Sequence, residues 1–345
     1  MWHPDLNFWK IIDRRKRGYR WGKVHMFPVI DVDINTSEMY EQLGTKAKFW
    51  YRDPHMGRCL FKRGRENTGE NWAEKFACEL AAALDVPHAY YELARCGDDL
   101  GVSTPNFVPR RGRLIHGNEV LAVTREYAEA RDARFYQSRA HTITLVLSML
   151  VAAAASKSWP LQPPDGFSAF PGVATAPDVF VGYLMLDAWI GNQDRHDQNW
   201  GVVAELQDEA DGEPDMVLWL APSFDHGSSL ARNETDDACR EMLETRDRGR
   251  HISAYVGRAR SALYPHGAAG KSKALFTLDA FAFARRQLPT AGDAWLQRLE
   301  SISDERINEL VHMLPDEFVS EIRRDFLVEY LKLNRQRLLA LREAS

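Results

Sequence analysis

The chain has 345 residues, long enough for two lobes around separate cores, and 45% hydrophobic with 11% aromatic residues excludes a disordered protein. A formal net charge of -5 gives no general electrostatic basis for nucleic-acid binding, and no DNA-reading motif is present. The four cysteines, Cys59, Cys78, Cys96 and Cys239, are widely spaced without a Cys-x-x-Cys pair, which argues for reduced thiols and against a zinc site.

Along the chain, Met1-Trp2-His3-Pro4-Asp5 lacks the apolar core of a signal peptide. The longest apolar run, Ile143 to Ala155, is too short to span a bilayer. A cytoplasmic protein with no membrane span is expected. The basic cluster Arg14-Arg15-Lys16-Arg17-Gly18-Tyr19-Arg20 reads more readily as a solvated face than as a contact for nucleic acid or anionic lipid. Next comes a turn with one glycine and two lysines, Gly44-Thr45-Lys46-Ala47-Lys48, just ahead of Arg58-Cys59-Leu60-Phe61-Lys62, whose apolar, β-prone character predicts a strand. Trp72, Phe76, Leu80 and Leu84 recur at spacing four and predict a helix over Asn71 to Leu84, with Glu74 off the apolar stripe. Phe107-Val108 and Leu114-Ile115 flank an arginine-rich turn, Pro109 to Arg113. Ile143 to Ala155 reads as a buried core helix. A further helix, Asp178 to Ile190, has Val181, Leu184, Met185 and Ala188 on one stripe and runs straight into Gly191. Trp200 to Glu205 and Met216 to Leu220 read as a hairpin with a long polar loop. Gly227 to Tyr264 is rich in charge and poor in periodicity. From Leu278 onward the pattern is helical, with Phe326, Tyr330, Leu331 and Leu333 inward and an Arg-rich outer face.

The chemistry concentrates around the hairpin. Gly191-Asn192-Gln193-Asp194-Arg195-His196-Asp197-Gln198-Asn199 precedes it, and Asp225-His226-Gly227 follows it. Phosphoryl transfer from ATP requires a carboxylate beside the acceptor hydroxyl and oxygen ligands, typically Asn and Asp, that hold Mg²⁺ on the phosphates. Asp194 supplies the first and Asn199 with Asp225 the second, and antiparallel pairing would bring Asn199 and Asp225 side by side. Chance would place the Asp-Arg-His-x-x-Asn residues in about 1 in 500 chains of this length.

These residues resemble the HipA-like C-terminal kinase family, and Asp-Arg-His-x-x-Asn is also similar to the catalytic loop of phosphatidylinositol kinases. The resemblance implies an α+β, two-lobed protein-kinase-like fold with a small β-rich N-lobe and a larger, mainly helical C-lobe. It implies ATP and Mg²⁺ as cofactors, Asp194 as catalytic base, His196 as a catalytic-loop histidine, and Asn199 and Asp225 as metal ligands. Lys62 would direct its ammonium to the ATP phosphates and pair with Glu74, for which Glu70 and Glu79 are rivals on the same helix. Gly44, Thr45, Lys46 and Lys48 would cover the phosphates. The hinge that holds adenine would fall at His116 to Leu121, including Glu119, which divides the chain into 1–121 and 122–345. Gly227 to Tyr264 would form an activation segment. One departure is that HipA proteins carry an autophosphorylated serine three residues before the glycine, where this chain has Glu41; Ser37 and Thr45 do not match that position.

The resulting expectation is a serine/threonine protein kinase acting on a protein substrate. A phosphoinositide kinase, an AMP-transferring enzyme and a nucleotide-binding pseudokinase stand as alternatives. HipA toxins bind their antitoxin through an additional N-terminal subdomain, and the short segment before Gly44 lends an antitoxin-like partner no support.

Overall fold

A computed structural model describes residues 26–40, 48–130, 138–208, 215–269 and 271–343. The basic cluster at Arg14 to Arg20 lies outside the described residues, as do Glu41, Gly44, Thr45 and Lys46.

The first half is built on a six-stranded sheet in the order β1 (Val29–Asp31), β5 (Glu92–Cys96), β6 (Asp99–Pro105), β4 (Gly57–Arg63), β3 (Lys48–Asp53), β2 (Ser37–Tyr40). β1 joins β5 in parallel and every other neighbouring pair is antiparallel. Helix α1 (Glu70–Ala83) packs on β5 and β6. Its Trp72, Phe76 and Leu80 stripe is buried as the period demands, and so are the small Ala73, Ala77 and Ala81, so the helix is covered on more than its stripe.

The chain leaves this sheet at Pro105 and enters a second one at Gly112. The second sheet runs β7 (Gly112–His116), β9 (Gly201–Gln207), β10 (Asp215–Leu220), β8 (Leu161–Gln162). Residues 112–116, assigned from the sequence to the first unit, thus pair into the second sheet, and the connection between the sheets is 106–111. No local pattern marks this, because β7 finds its partner only in β9, far along the chain. The hairpin is as expected, with Val202 opposite Leu220 and Gln207 opposite Asp215. Ala221 N donates to Gly201 O at 2.9 Å, so the segments carrying Asn199 and Asp225 emerge from the same end.

Helices α2 (Gly117–Leu121) and α3 (Arg125–Ala130) follow β7. Helix α4 (Ile143–Ala154) buries Ile143, Val146, Leu147 and Leu150 but leaves Val151 45% exposed, so this apolar run covers one face of the core and is not enclosed by it. Helix α5 (Ala176–Ile190) is buried almost all round. Its sequence is apolar on every face, beyond the single stripe expected, which is the pattern of a central helix. It packs on α4, α8 (Thr277–Gln287), α9 (Pro289–Glu300) and α11 (Glu321–Leu339). Between β10 and α8 come α6 (Asp236–Glu244) and α7 (Ile252–Tyr255), and α10 (Asp304–His312) precedes α11. Phe326, Tyr330 and Leu331 are buried as expected. Arg323 and Arg324 also turn inward, where their guanidinium groups donate to the carbonyls of Ala231 and Leu314. Among the described residues no helix is long and apolar enough to cross a membrane. All four cysteines are free thiols.

Candidate active site

The first site loop hangs from the end of α5. That helix begins with a reciprocal cap between Thr175 and Asp178 and has Pro177 in its first turn. It ends at Gly191 in the left-handed conformation (φ 63°), with Gly191 N donating to Asp187 O. A Cβ at Gly191 would lie 1.9 Å from the Tyr330 hydroxyl, so glycine is required there by space as well as by backbone angle. Asp187, in the last turn, is 1% exposed and receives Arg195 on both oxygens, Nε at 2.8 Å and Nη2 at 2.7 Å. Asn192 Nδ2 donates to the same carboxylate at 2.8 Å. Arg195 also donates to Asn199 O at 2.8 Å and to Ser223 Oγ at 2.9 Å. One guanidinium therefore ties together the helix end, the loop carrying Asp194 and Asn199, and the loop carrying Asp225.

That second loop is fixed from both sides. Asp225 has φ 59°, which is rare for a residue with a Cβ and requires support from its surroundings. Ser223 Oγ lies 2.7 Å from His226 Nε2, and Arg195 Nη2 lies 3.3 Å from it. Burial, helped by the neighbouring Arg195 charge, holds His226 neutral by pushing its pKa well below the ordinary value. From the first sheet's side, Glu74 accepts the backbone N–H groups of His226 at 2.7 Å and Gly227 at 3.1 Å. The fit is tight, since a Cβ on Gly227 would meet Glu70 Cγ at 3.0 Å.

Lys62, on β4, reaches across with Nζ 3.5 Å from Asp225 Oδ1. Burial opposes its charge, but Asp225, the Tyr91 phenol and Glu74 outweigh it and hold the ammonium above its usual range. Glu74 thus acts on Lys62 by field while its oxygens hold the Asp225 loop. Its rivals are committed elsewhere: Glu70 to Arg232 at 2.6 Å and Glu79 to Lys75. Lys48 stands directly opposite Lys62 in the β3–β4 ladder. Like charges so placed repel, and an anion between them relieves that repulsion.

Asp194 is half-exposed. Burial raises its pKa most, His196 lowers it and Asp225 raises it again. His196 is buried, its Nδ1 accepting Gln198 N at 3.1 Å and its Nε2 lying 3.7 Å from Asp194 Oδ1. Asn199 Nδ2 donates to Asp194 O at 2.7 Å, which turns Oδ1 the other way as the ligating end. Among the described residues no three His, Cys, Asp or Glu side chains form a metal cage. The hard-oxygen pair Asn199 and Asp225 suits Mg²⁺, which takes one or two protein oxygens and completes its shell with water and phosphate.

The structure therefore brings together Lys48, Lys62, Glu74, Asp194, His196, Asn199 and Asp225. Glu119 lies on α2, where it accepts His116 N at 3.2 Å and pairs with Arg113, so the residues expected to form the hinge are a capped helix. The connection between the two sheets is 106–111, a bend and a turn closed by Gly112 N on Pro109 O at 2.9 Å, from which Phe107 packs on Phe224 at 5.7 Å between ring centroids. Sequence reasoning missed Asp187, Ser223 and Arg232. The one available signal was for Asp187, an acid in an otherwise apolar helix.

Comparison with solved structures shows the fold. A Helicobacter pylori proinflammatory kinase, CtkA, matches with a TM-score of 0.66 at 18% identity, over 92% of this chain and 98% of that one. HipA from a Shewanella oneidensis MR-1 toxin–antitoxin complex with HipB and operator DNA matches with a TM-score of 0.46 at 12% identity, over 98% of this chain and 72% of that one. No protein-family model and no curated protein matches the sequence. The likeness to CtkA holds at the level of fold, an α+β chain with a β-rich N-terminal sheet and a helical C-terminal region.

Proposed function

We propose that the protein is an ATP- and Mg²⁺-dependent kinase that transfers the γ-phosphoryl group to a serine or threonine hydroxyl of a protein. The observation that supports this best is the convergence of Lys62, from the first sheet, on Asp225, with Asp194 and Asn199 alongside from the neighbouring loop. These four residues come from three separate stretches of chain. Lys62 and Lys48 attract and orient the phosphates, with Gly44, Thr45 and Lys46 the candidates to cover them. Asn199 and Asp225 would hold Mg²⁺, which neutralises charge on the transferring group. Asp194 accepts the acceptor's proton as its oxygen attacks, and His196 Nε2 orients that carboxylate.

The choice of acceptor rests on the resemblance to HipA-like kinases. The Arg-His pair is the feature shared with lipid kinases, and Arg195 is 0% exposed with every recorded bond inside the protein. It cannot read a headgroup.

The test is incubation with γ-labelled ATP and Mg²⁺ in the presence of cell lysate or a phosphoinositide mixture, beside Asp194→Asn. Label entering protein with the wild type and lost in Asp194→Asn is expected. Label in lipid would replace the acceptor class, addition of AMP would replace the reaction, and no transfer of any kind would remove the kinase reading.

A further inference from the structure

Beyond Asp225 the chain makes a turn that its residue types do not favour. Leu230 (φ 56°) and Ala231 (φ 52°) are consecutive non-glycine residues in the left-handed region, a conformation kept only where the surroundings enforce it and found most often at functional sites. Leu230 N donates to Ile190 O at 2.8 Å, Arg323 Nη1 donates to Ala231 O at 3.2 Å, and Gly69 N donates to Arg232 O at 2.8 Å. The enforced turn delivers the Arg232 side chain, 13% exposed, between α1 and the candidate base.

There Arg232 Nη1 donates to Glu70 Oε1 at 2.6 Å and Nη2 to Ser228 Oγ at 3.1 Å. Ser228 Oγ in turn donates to Asp194 Oδ2 at 3.4 Å. The direction of this chain is fixed by valence. A guanidinium can only donate, so the one hydroxyl proton of Ser228 is left for Asp194. The planar fork serves two acceptors at a set angle, which a lysine cannot do.

We infer that Arg232 is a positioning residue for Asp194: anchored on Glu70, it fixes the Ser228 hydroxyl, and Ser228 fixes the carboxylate. The inference rests on the reading of Asp194 as the base of a kinase. It also gives α1 a second grip on the site, since Glu74, one turn after Glu70, already holds the His226 and Gly227 amides. A cavity of about 330 Å³ adjoins Arg232, lined also by Thr68, Trp72, Ser320 and Arg323.

The test is the initial rate of phosphate transfer from γ-labelled ATP to lysate protein, over a range of ATP concentrations, for wild type, Arg232→Met, Arg232→Lys, Ser228→Ala and the Arg232→Met/Ser228→Ala double variant. Arg232→Met should lower the limiting rate by about 10–100-fold, the usual effect of losing a residue that orients a reacting group, with KM for ATP within about 2-fold of wild type. Arg232→Lys should recover only part of the rate. The double variant should be no slower than Arg232→Met alone, because both act through one path. Full rescue by lysine, a loss confined to KM, or multiplicative effects in the double variant would each overturn the relay. If Arg232→Met melts below the assay temperature, Ser228→Ala decides, and an unchanged limiting rate for it counts against the inference. A wild type that transfers no phosphate removes the kinase reading and this relay with it, whereas an active wild type with rate-neutral variants removes the relay alone.

Discussion

Arg195 carries a full charge where no water reaches it. Burial works against that charge, and Asp187 more than restores it, so the guanidinium stays ionised. Such a pair is weak evidence of net stabilisation, because desolvating both ions offsets most of their attraction. Removing one partner is another matter, since the other is left buried and uncompensated. Arg195→Met should cost about 3–5 kcal/mol, and it should loosen Asn199 O and Ser223 Oγ along with Asp187. Denaturant unfolding of the variant measures this. A loss below about 1 kcal/mol, in the range of an exposed pair, would mean that water enters and replaces the guanidinium. The same geometry explains why the role of Arg195 could not be read from its motif. Asp-Arg-His names the residues of the loop but not their directions, and the partner that turns Arg195 inward belongs to the preceding helix.

Helix α5 shows how an element sets a site that its own residues do not form. Its termination is dictated by Gly191, whose φ of 63° and approach to Tyr330 both exclude a side chain. Gly191→Ala should cost more than about 1 kcal/mol through the left-handed backbone alone, with a further loss from the clash on α11. Adding Tyr330→Phe removes the hydroxyl and should return only the clash component, as thermal unfolding of the single and double variants would show. Equal stability of Gly191→Ala and wild type would mean that the loop start can be rebuilt, and that α5 does not hold it. Elements of this kind were legible where the signal is local. The period-four stripe of α1, the β-prone run of β4 and the β9–β10 hairpin with its polar loop each state their type within a few residues. Long-range pairing was not legible. β7 joins a partner in the second half of the chain, Glu70 meets Arg232 across 162 residues, and Arg323 and Arg324 find buried carbonyls although arginine spacing on a helix ordinarily marks a wet face. The glycine turn at Gly44 remains an expectation from the sequence, outside the described residues.

At the scale of the whole molecule, the site exists only where the two sheets meet. Lys62 and Glu74 come from the first sheet and its helix; Asp194, Asn199 and Asp225 come from the loops of the second. Lys62 lies on Asp225 and Lys48 faces Lys62, so each half presents charge that the proposed ligands would take over. On the proposed reading, Lys62 and Lys48 would meet the phosphate oxygens of ATP, and Asp225 would exchange the Lys62 ammonium for Mg²⁺ as its counter-charge. Because such a ligand contacts both halves and nothing comparable in the unfolded chain, it should stabilise the fold by about 2.7 kcal/mol at roughly 100 times its dissociation constant. The effect should need both components. Mg²⁺ alone would have only Asn199 and Asp225 to hold it, and ATP alone would bring its charge to Asp225 unneutralised. Thermal unfolding with ATP, with Mg²⁺ and with both separates these cases, and Asp225→Asn should abolish the Mg²⁺-dependent increment while leaving the response to ATP alone intact or larger, since the repelling carboxylate is gone. An increment that survives in Asp225→Asn would place the metal elsewhere. No shift with ATP and Mg²⁺ together would mean that the two halves do not close on a nucleotide at all.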